Sequence, residues 1–243
     1  MNILAIESSA RSASCAVLRD GELLCRADQA TGLTHSRTLM PMVASMLENA
    51  ELKPEDMDVF AVAAGPGSFT GLRIGVAAVK GLGWALEKPC AAVSTLEAMA
   101  APLAHLDAVV ICAMDARRNQ IYNALFRTRG GRWERKAPDR AIALEELAAE
   151  LKGPYRTPPG FPQIVVGDGA ALCRDYLISQ GIACELAPRH LRLQSAVGVA
   201  MAAWPMVQAG QVCTAQALRP AYLRLSQAER ERLEREQGKG GDI

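Results

Sequence analysis

Short apolar runs alternate along the chain with longer segments in which apolar residues recur every three or four positions. Runs at 3–6, 14–18 and 23–25 are separated by small-residue or Asp-Gly turns, which predicts a three-stranded meander. Helical spacing follows at 34–50, where Pro41 is expected to bend or interrupt the first turns. The chain therefore begins with three strands and a helix.

The next segment repeats the alternation of strand and helix. An apolar run at 59–63 leads through a glycine-rich turn at 65–71 into a second helical segment at 72–86. A further short strand is predicted at 90–93, and Ser94 begins a Ser-x-x-Glu capping box that opens another helix. Alternation of this kind is typical of an α/β fold.

The second half of the chain follows the same order as the first. Asp115 ends an apolar run 108 positions after Glu7 ends the first one. Two more strands and a helix follow, then an apolar run at 164–166, the turn Gly167-Asp168-Gly169 and a helix at 170–180. A repeat much longer than about 50 residues indicates a doubled domain rather than a solenoid.

The duplication predicts an N-terminal lobe at 1–106 and a C-terminal lobe at 107–225, followed by a charged, flexible tail at 226–243. Four prolines and two glycines at 153–162 predict an irregular surface loop. The longest nearly uncharged apolar stretch, 196–207, is shorter than the roughly 20 residues that a membrane span needs, so it predicts a buried helix.

Composition narrows the function classes. The 27 Lys and Arg against 26 Asp and Glu give a net charge of +1, which provides no global basic field for nucleic acid or an anionic membrane. The seven cysteines include no Cys-x-x-Cys pair, as expected for buried thiols in a reducing cytosol. The first residues lack the basic start of a secretory signal. We therefore expect a cytoplasmic protein.

The most distinctive string is Gly-Pro-Gly-Ser-Phe-Thr-Gly at 65–71, between a predicted strand and a predicted helix. Glycines there allow close backbone approach, and the amides at a helix N-terminus bind anions. The string lacks the Gly-Lys-Ser/Thr ending of a P-loop, and Thr70 stands where a nucleophile elbow centred on Ser68 would need glycine. Both a tight packing turn and a ligand-binding loop remain open.

Few residues have the pattern of a catalytic or metal site. The three histidines have no ligand spacing to one another or to a cysteine pair, so no metal site is predicted. Glu7, Asp115 and the turn Gly167-Asp168-Gly169 are weak candidates for binding a metal-nucleotide complex, provided that they converge on one cleft. The alternative is that each carboxylate accepts hydrogen bonds in a turn.

Several segments together resemble a known family. Gly-Pro-Gly-Ser-Phe-Thr-Gly-Leu-Arg-Ile-Gly at 65–75 is similar to the signature of the bacterial tRNA threonylcarbamoyladenosine biosynthesis family TsaB, and four other segments agree in order: 3–9, 93–99, 114–122 and 219–224. One departure is Glu7, where many relatives carry Asp. The resemblance implies a duplicated ribonuclease-H-like fold of the actin-like ATPase superfamily, with two lobes of mixed sheets flanked by helices.

The resemblance also implies a role without catalysis. The related transferase TsaD holds its metal with a His-x-x-x-His pair, and the matching positions here are Thr95 and Met99, which cannot replace imidazole ligands. A non-enzymatic subunit is therefore expected, which supports a TsaD-type transferase together with a TsaE-type ATPase. In this view ATP belongs to the partners, tRNA is contacted mainly through the complex, and the isolated chain needs no cofactor and can form a homodimer.

The resemblance places the heterodimer interface on helices of the N-terminal lobe. The candidate interface residues are Leu39, Met42 and Met46 in the first predicted helix, and Gly71, Leu72, Arg73, Gly75 and Val79 in the second. Small residues at spacings of three and four let another helix approach closely. The alternative is that these residues pack the two helices on their own sheet.

A second class of function also remains open. The chain would be an ATP-binding phosphotransferase or ATPase of the same superfamily if the acidic residues formed one cleft. It would be a peptidase if it carried a metal or an activated nucleophile, and the sequence offers neither pattern.

Overall fold

The computed structural model describes residues 1–117 and 120–224. The strands are β1 (Asn2–Glu7), β2 (Ala13–Arg19), β3 (Glu22–Gln29), β4 (Val59–Gly65), β5 (Cys90–Ser94), β6 (Ala108–Asp115), β7 (Gln120–Arg129), β8 (Arg132–Ala143), β9 (Gln163–Val166) and β10 (Glu185–Leu186). The helices are α1 (His35–Asn49), α2 (Phe69–Ala85), α3 (Thr95–Ala100), α4 (Leu144–Lys152), α5 (Ala170–Ser179) and α6 (Ala196–Gln208).

Two five-stranded sheets have the same topology. The first has the order β3-β2-β1-β4-β5, and the second has β8-β7-β6-β9-β10. In each, three antiparallel strands are followed by two strands parallel to the first of them. This is the predicted duplicated ribonuclease-H-like fold of the actin-like ATPase superfamily, because each half repeats one strand order.

Helices cover both sheets in layers. Helices α1 and α2 pack on the outer face of the first sheet, around Phe60 and Val62. Helices α4 and α5 pack on the outer face of the second sheet, around Ile111 and Val165. Helix α3 lies between the sheets: Ala98 contacts the first sheet's inner cluster, and Leu96 contacts that of the second. The central strands are consequently buried on both faces, which explains their continuous apolar runs.

Helix α6 crosses back to the first sheet. It belongs by chain position to the predicted lobe 107–225, yet Val199 and Ala203 pack against Ile3 and Ala5. The amide of Ala196 also donates to Ser14 Oγ at 2.8 Å. The limits of the two lobes remain a prediction, since the strands divide near residue 107 but the packing does not.

The C-terminal segment also returns to the first sheet. Cys213 exchanges two backbone hydrogen bonds of 2.8 Å with Cys90 at the edge of β5. Leu218 is buried in the cluster under α1 and α2, and the Ala221 amide donates to the carbonyl of Ala64 at 2.7 Å. We call residues 213–224 the strap, because they fasten α2 and β5 from outside.

Two local expectations have a definite outcome. Helix α1 runs without a break through Pro41, so the predicted interruption is wrong: the missing amide removes one hydrogen bond, and packing on the sheet retains the helix. The loop 153–162 contains no helix or strand, as expected.

The tail at 226–243 lies outside the described residues. No helix in the described part of the chain is both long and apolar enough to cross a membrane.

Candidate functional site

A cleft of about 680 Å³ lies between the two sheets, where the carboxyl ends of their central strands meet. Turns after β1, β4, β6 and β9 form its walls, and the end of the strap closes one side. Its polar lining residues are Ser9, Arg11, Ser68, Thr70, Asp115, Arg117, Tyr122, Asp168, Tyr222 and Arg224. The crevice outside the carboxyl ends of strands is where open α/β sheets bind ligands.

Glu7 lies fully buried beneath this cleft, at the end of β1. Its Oε1 accepts a hydrogen bond of 2.5 Å from the Ser9 amide, while Oε2 has no partner among the described residues. Burial raises the pKa of the Glu7 carboxyl to about 7, and the nearby Asp168 carboxylate contributes to the rise. Glu7 is thus partly protonated near neutral pH, unlike an exposed glutamate.

Asp115 and Asp168 line the same cleft from the second sheet. Asp115 Oδ1 accepts from the Arg117 amide at 2.7 Å, which is the turn-acceptor role that the sequence left open. Asp168 Oδ1 accepts from Gln194 Nε2 at 3.0 Å. Burial raises the pKa of the Asp168 carboxyl, and the charge of Asp115 raises it further. The three predicted acids therefore lie close together. Asp115 and Asp168 line the cleft, and Glu7 is buried beneath it.

The two flanking glycines are needed for the close approach of backbone segments. Gly167 has a φ of +119°, and a Cβ there would lie 2.1 Å from the Ala113 carbonyl oxygen. A Cβ on Gly169 would lie 2.9 Å from the Asp115 amide nitrogen. The turn around Asp168 can therefore sit directly against the end of β6.

The glycine-rich loop packs against the turn that follows β1. The Ser68 amide donates to the Ser9 carbonyl at 2.7 Å, and Ser8 Oγ donates to the Gly71 carbonyl at 2.9 Å. A Cβ on Gly71 would lie 2.1 Å from the backbone carbonyl oxygen of Ser8. Contact this close leaves no space for a ligand between the loop and the turn, so the tight-packing interpretation holds for Gly71.

Aromatic and basic side chains line the mouth of the cleft. Phe69 and Tyr222 stack with ring centroids 4.8 Å apart, and the Arg73 guanidinium lies 3.8 Å above the Phe69 ring. Arg73 Nε also donates to the Tyr222 hydroxyl at 3.1 Å, and Arg224 Nη1 donates to the Ala116 carbonyl at 2.6 Å. Sequence reasoning named Arg73 only as an interface candidate, and it missed Phe69, Tyr222, Arg224 and Gln194 as site residues. The 219–224 segment was the available signal for Tyr222 and Arg224; no local pattern pointed to Gln194.

The two positions that the family resemblance matches to metal-binding histidines of the transferase lie inside the core. Thr95 and Met99 are both buried, and Met99 packs in the cluster between α3 and the second sheet. Thr95 Oγ1 has no hydrogen-bond partner in the described part of the chain. Nowhere in that part do three or more His, Cys, Asp or Glu side chains group as metal ligands.

Most of the predicted interface residues face the chain's own core. The structure buries Leu39, Met46, Gly71, Leu72, Gly75 and Val79, and it leaves Met42 half-buried. A Cβ on Gly75 would lie 2.4 Å from Ser8 Oγ, so this glycine serves packing between α2 and β1. This burial favours the alternative that the residues pack the two helices on their own sheet, and their place in a partner interface stays a prediction. Arg73 alone of the predicted set is exposed.

The outward faces of the same two helices carry a different set of residues. We call these residues the outer face: Met40, Pro41 and Ala44 on α1, with Arg73, Ala77, Gly81 and Trp84 on α2. Trp84 is 66% exposed and Met40 is 40% exposed. These exposed apolar side chains make the outer face a candidate for protein binding.

Comparison with known proteins gives the family. The family model described as TsaD, tRNA N6-adenosine threonylcarbamoyltransferase, matches residues 29–232. The tRNA threonylcarbamoyladenosine biosynthesis protein TsaB of Bacillus subtilis is 32% identical over 238 residues, which cover 96% of this chain and 99% of that protein. The chain belongs to the TsaB family. Escherichia coli TsaB is 28% identical and shares 92% of this chain and 95% of its own length.

A solved structure agrees with this TsaB assignment. An uncharacterized Pseudomonas aeruginosa protein, described as similar to the peptidase YEAZ, superposes with a TM-score of 0.76 at 25% identity. The match covers 92% of this chain and 99% of that one. The duplicated fold is thus confirmed over nearly the whole of both chains.

Proposed function

We propose that this TsaB-family chain is a non-catalytic subunit that binds and supports a TsaD-type transferase in forming threonylcarbamoyladenosine in tRNA, beside the anticodon. The observation that carries the proposal is the burial of Thr95 and Met99 where the transferase family holds its metal-binding imidazoles. Neither a hydroxyl without a charge nor a thioether inside an apolar cluster makes a site for a catalytic metal. The similarity to TsaB proteins along almost the entire chain supports a role in threonylcarbamoyladenosine synthesis.

The outer face of α1 and α2 is the surface we assign to the transferase. Met40 and Trp84 supply exposed apolar contact area, and Ala77 and Gly81 let a partner helix approach closely. Arg73 adds a positive charge at the end of α2 nearest the cleft. A TsaE-type ATPase completes the system, and the ATP that the reaction consumes belongs to these partners.

Reconstitution tests the proposal. The purified chain, a TsaD-type transferase and a TsaE-type ATPase are combined in every pairing with tRNA, ATP and threonylcarbamoyl adenylate, and the modified nucleoside is measured by mass spectrometry. We expect product only where the transferase is present, with this chain increasing its yield. Product from this chain alone would overturn the proposal, and so would full transferase activity without it.

Nucleotide binding by the chain itself is the second candidate, and the convergence of Glu7, Asp115 and Asp168 on one cleft favours it. Such a site would take a nucleotide with its divalent cation between the two carboxylates of the second lobe and the α2 N-terminus. The close packing of Gly71 on Ser8 limits it, because only the loop residues 67–70, which line the cleft, remain open to a phosphate.

Calorimetric titration of the purified chain with ATP and Mg²⁺ separates the two candidates. The scaffold proposal predicts no turnover by the isolated chain. Binding that is lost in Asp168→Asn, with unchanged stability, would support a retained nucleotide site. Turnover of ATP by the chain alone would make it an ATPase.

A further inference from the structure

Cys213 of the strap lies directly opposite Cys90 of β5. The two residues form an isolated antiparallel bridge, in which each amide donates to the carbonyl of the other residue at 2.8 Å. The Cα atoms of such a hydrogen-bonded pair are about 5.5 Å apart. A disulfide needs a Cα separation of about 4.4–6.8 Å, so the backbone holds these two cysteines within range of a covalent bond.

The side chains of the pair also lie on one side of the bridge. Directly opposite residues of an antiparallel pair share a face, and both cysteines pack against the apolar cluster under α1 and α2. A Cβ on Gly83 of α2 would lie 2.6 Å from Cys90 Sγ, which shows that this thiol is directed at α2. Both thiols therefore share the space between β5, the strap and α2.

A second cysteine pair in the same sheet lacks this geometry. Cys15 of β2 lies opposite Ala27, and Cys25 of β3 lies opposite Val17. Cys15 and Cys25 are consequently diagonal neighbours, and the Cα atoms of diagonal neighbours are about 7–8 Å apart. That separation exceeds the reach of a disulfide, so the second pair provides a matched comparison for the first.

We infer that Cys90 and Cys213 form a site of reversible oxidation, at which an intrachain disulfide fastens the strap to β5. The oxidant is a small-molecule disulfide such as oxidised glutathione. The Cys213 thiolate attacks one sulfur of the oxidant, which forms a mixed disulfide and releases one glutathione thiolate. Cys90 then loses its proton and attacks the Cys213 sulfur, which closes the Cys90–Cys213 bond and releases the second thiolate. The protein gives up two electrons and two protons, and the oxidant takes them up as two thiols.

Exposure and charge decide the order and the speed of these steps. Cys213 is half-buried and Cys90 is buried, so the oxidant reaches Cys213 first. Burial raises the pKa of both thiols, that of Cys90 to about 11, and the charge of Lys80 opposes the rise. Lys80 Nζ is held near the pair because it donates to the carbonyls of Gln216 and Leu218 at 3.3 and 3.2 Å. Exchange is therefore expected to be slow at pH 7 and faster at pH 9.

The geometry of the bridge also makes the bond reversible. Directly opposite Cβ atoms in a hydrogen-bonded pair are about 5.5 Å apart, whereas a disulfide needs about 4 Å. The isolated bridge must tighten by about 1–2 Å to close, so the bond is expected to be reduced again readily.

Closing the bond fixes the start of a segment whose end lines the cleft. Tyr222 and Arg224 belong to the cleft lining, and the Ala221 amide donates to the Ala64 carbonyl. The bond closes a loop of about 120 residues, so we expect the oxidised chain to melt about 5 °C higher. We also expect the strap amides, Ala221 among them, to exchange with solvent at least threefold more slowly.

Oxidation of the folded chain in glutathione buffers tests the inference. The chain is equilibrated at a series of ratios of oxidised to reduced glutathione at pH 8.5, quenched with acid, alkylated and digested, and the peptides are identified by mass spectrometry. We expect a linked Cys90–Cys213 peptide at ratios that leave Cys15 and Cys25 alkylated, and we expect excess dithiothreitol to remove the link. Melting and hydrogen exchange are measured on the same samples.

Two variants with the same substitution separate the bridge from general oxidation. Cys213→Ser is expected to abolish both the linked peptide and the rise in melting temperature. Cys25→Ser, at a half-buried position in the diagonal pair, is expected to retain both. The inference fails if oxidised glutathione alone gives no linked Cys90–Cys213 peptide in the folded chain. It also fails if that link forms only in urea, or if Cys15 and Cys25 are linked at the same ratios.

Discussion

At the scale of single residues, glycine is used for two different purposes within one helix. Gly75 and Gly81 both lie in α2, six positions apart. A Cβ on Gly75 would meet Ser8 Oγ at 2.4 Å and Val62 Cγ2 at 3.3 Å, while a Cβ on Gly81 would meet no heavy atom within 4 Å. Close packing requires glycine at position 75. At position 81 nothing requires it, and glycine there only makes the helix less stable than alanine would.

Gly75→Ala is expected to lower the free energy of unfolding by about 1–3 kcal/mol, because the added methyl displaces Ser8 from its hydrogen bond to Gly71. Gly81→Ala is the matched control, and it is expected to raise the same free energy by about 0.5–1 kcal/mol. Urea denaturation of both variants measures the difference. Equal effects of the two substitutions would contradict the packing role.

Glu7 makes stability depend on pH in an unusual direction. Its pKa is raised from 4.5 to about 7 in the folded chain, so the native state holds more protons than the unfolded state between those values. The stabilising effect is fully present below about pH 4.5 and is lost as the pH rises to about 7. The shift corresponds to roughly 3 kcal/mol.

Glu7→Gln removes this titration, because an amide stays neutral throughout. Relative to the variant, the original chain is expected to lose up to about 3 kcal/mol of unfolding free energy between about pH 4.5 and pH 8. Urea denaturation at a series of pH values measures it, with the exposed Glu22→Gln as the control. Parallel curves for Glu7→Gln and the original chain would show that the carboxyl titrates normally.

At the scale of elements, α1 and α2 each have one face for the sheet and one for solvent. Periodicity identified both helices but could not tell which face would be covered, since small and apolar residues occur on both. Leu72 and Val79 face inward, while Ala77 and Trp84 face outward. A pattern of small residues is consequently a poor predictor of a partner surface until the helix is oriented on its sheet.

Substitutions on the outer face should weaken partner binding without unfolding the chain. Met40→Glu or Ala77→Glu is expected to weaken binding of a TsaD-type transferase by roughly tenfold or more, since a charge would replace apolar contact. The free energy of unfolding should change by no more than about 0.5 kcal/mol. Isothermal titration calorimetry measures the affinity. Leu172→Glu, on the exposed side of α5, is the control; equal losses in all three variants would argue against the outer face.

At the scale of the whole molecule, the strap holds residues 213–224 against helices and strands of the first half of the chain. Leu218 is buried among side chains of α1, α2 and β4, and Lys80 Nζ donates to the Leu218 carbonyl at 3.2 Å. Leu218→Ala is therefore expected to lower the free energy of unfolding by about 2–5 kcal/mol. Leu223→Ala, at an exposed position in the same segment, should have little effect. Thermal and urea denaturation compare the two variants.

The sequence predicted the features of the fold that local residue patterns determine. It missed the features that depend on contacts between residues far apart in the chain. The repeat that relates Glu7 to Asp115 predicted the two sheets, and the structure brings both residues to one cleft. Burial of Glu7, the return of α6 and the hydrogen bond from Gln194 to Asp168 depend on residues far apart in the chain. No periodicity encodes such contacts, because each is decided by how the sheets pack against each other.

The return of α6 has a consequence for synthesis of the protein. The inner face of the first sheet is covered by a helix that begins at residue 196, so a ribosome must deliver most of the polypeptide before the N-terminal strands are enclosed. Until then Ile3, Ala5 and their neighbours face water, and the nascent chain should bind chaperones that recognise apolar segments. Proteolysis of chains stalled before and after residue 208 would reveal when protection first appears.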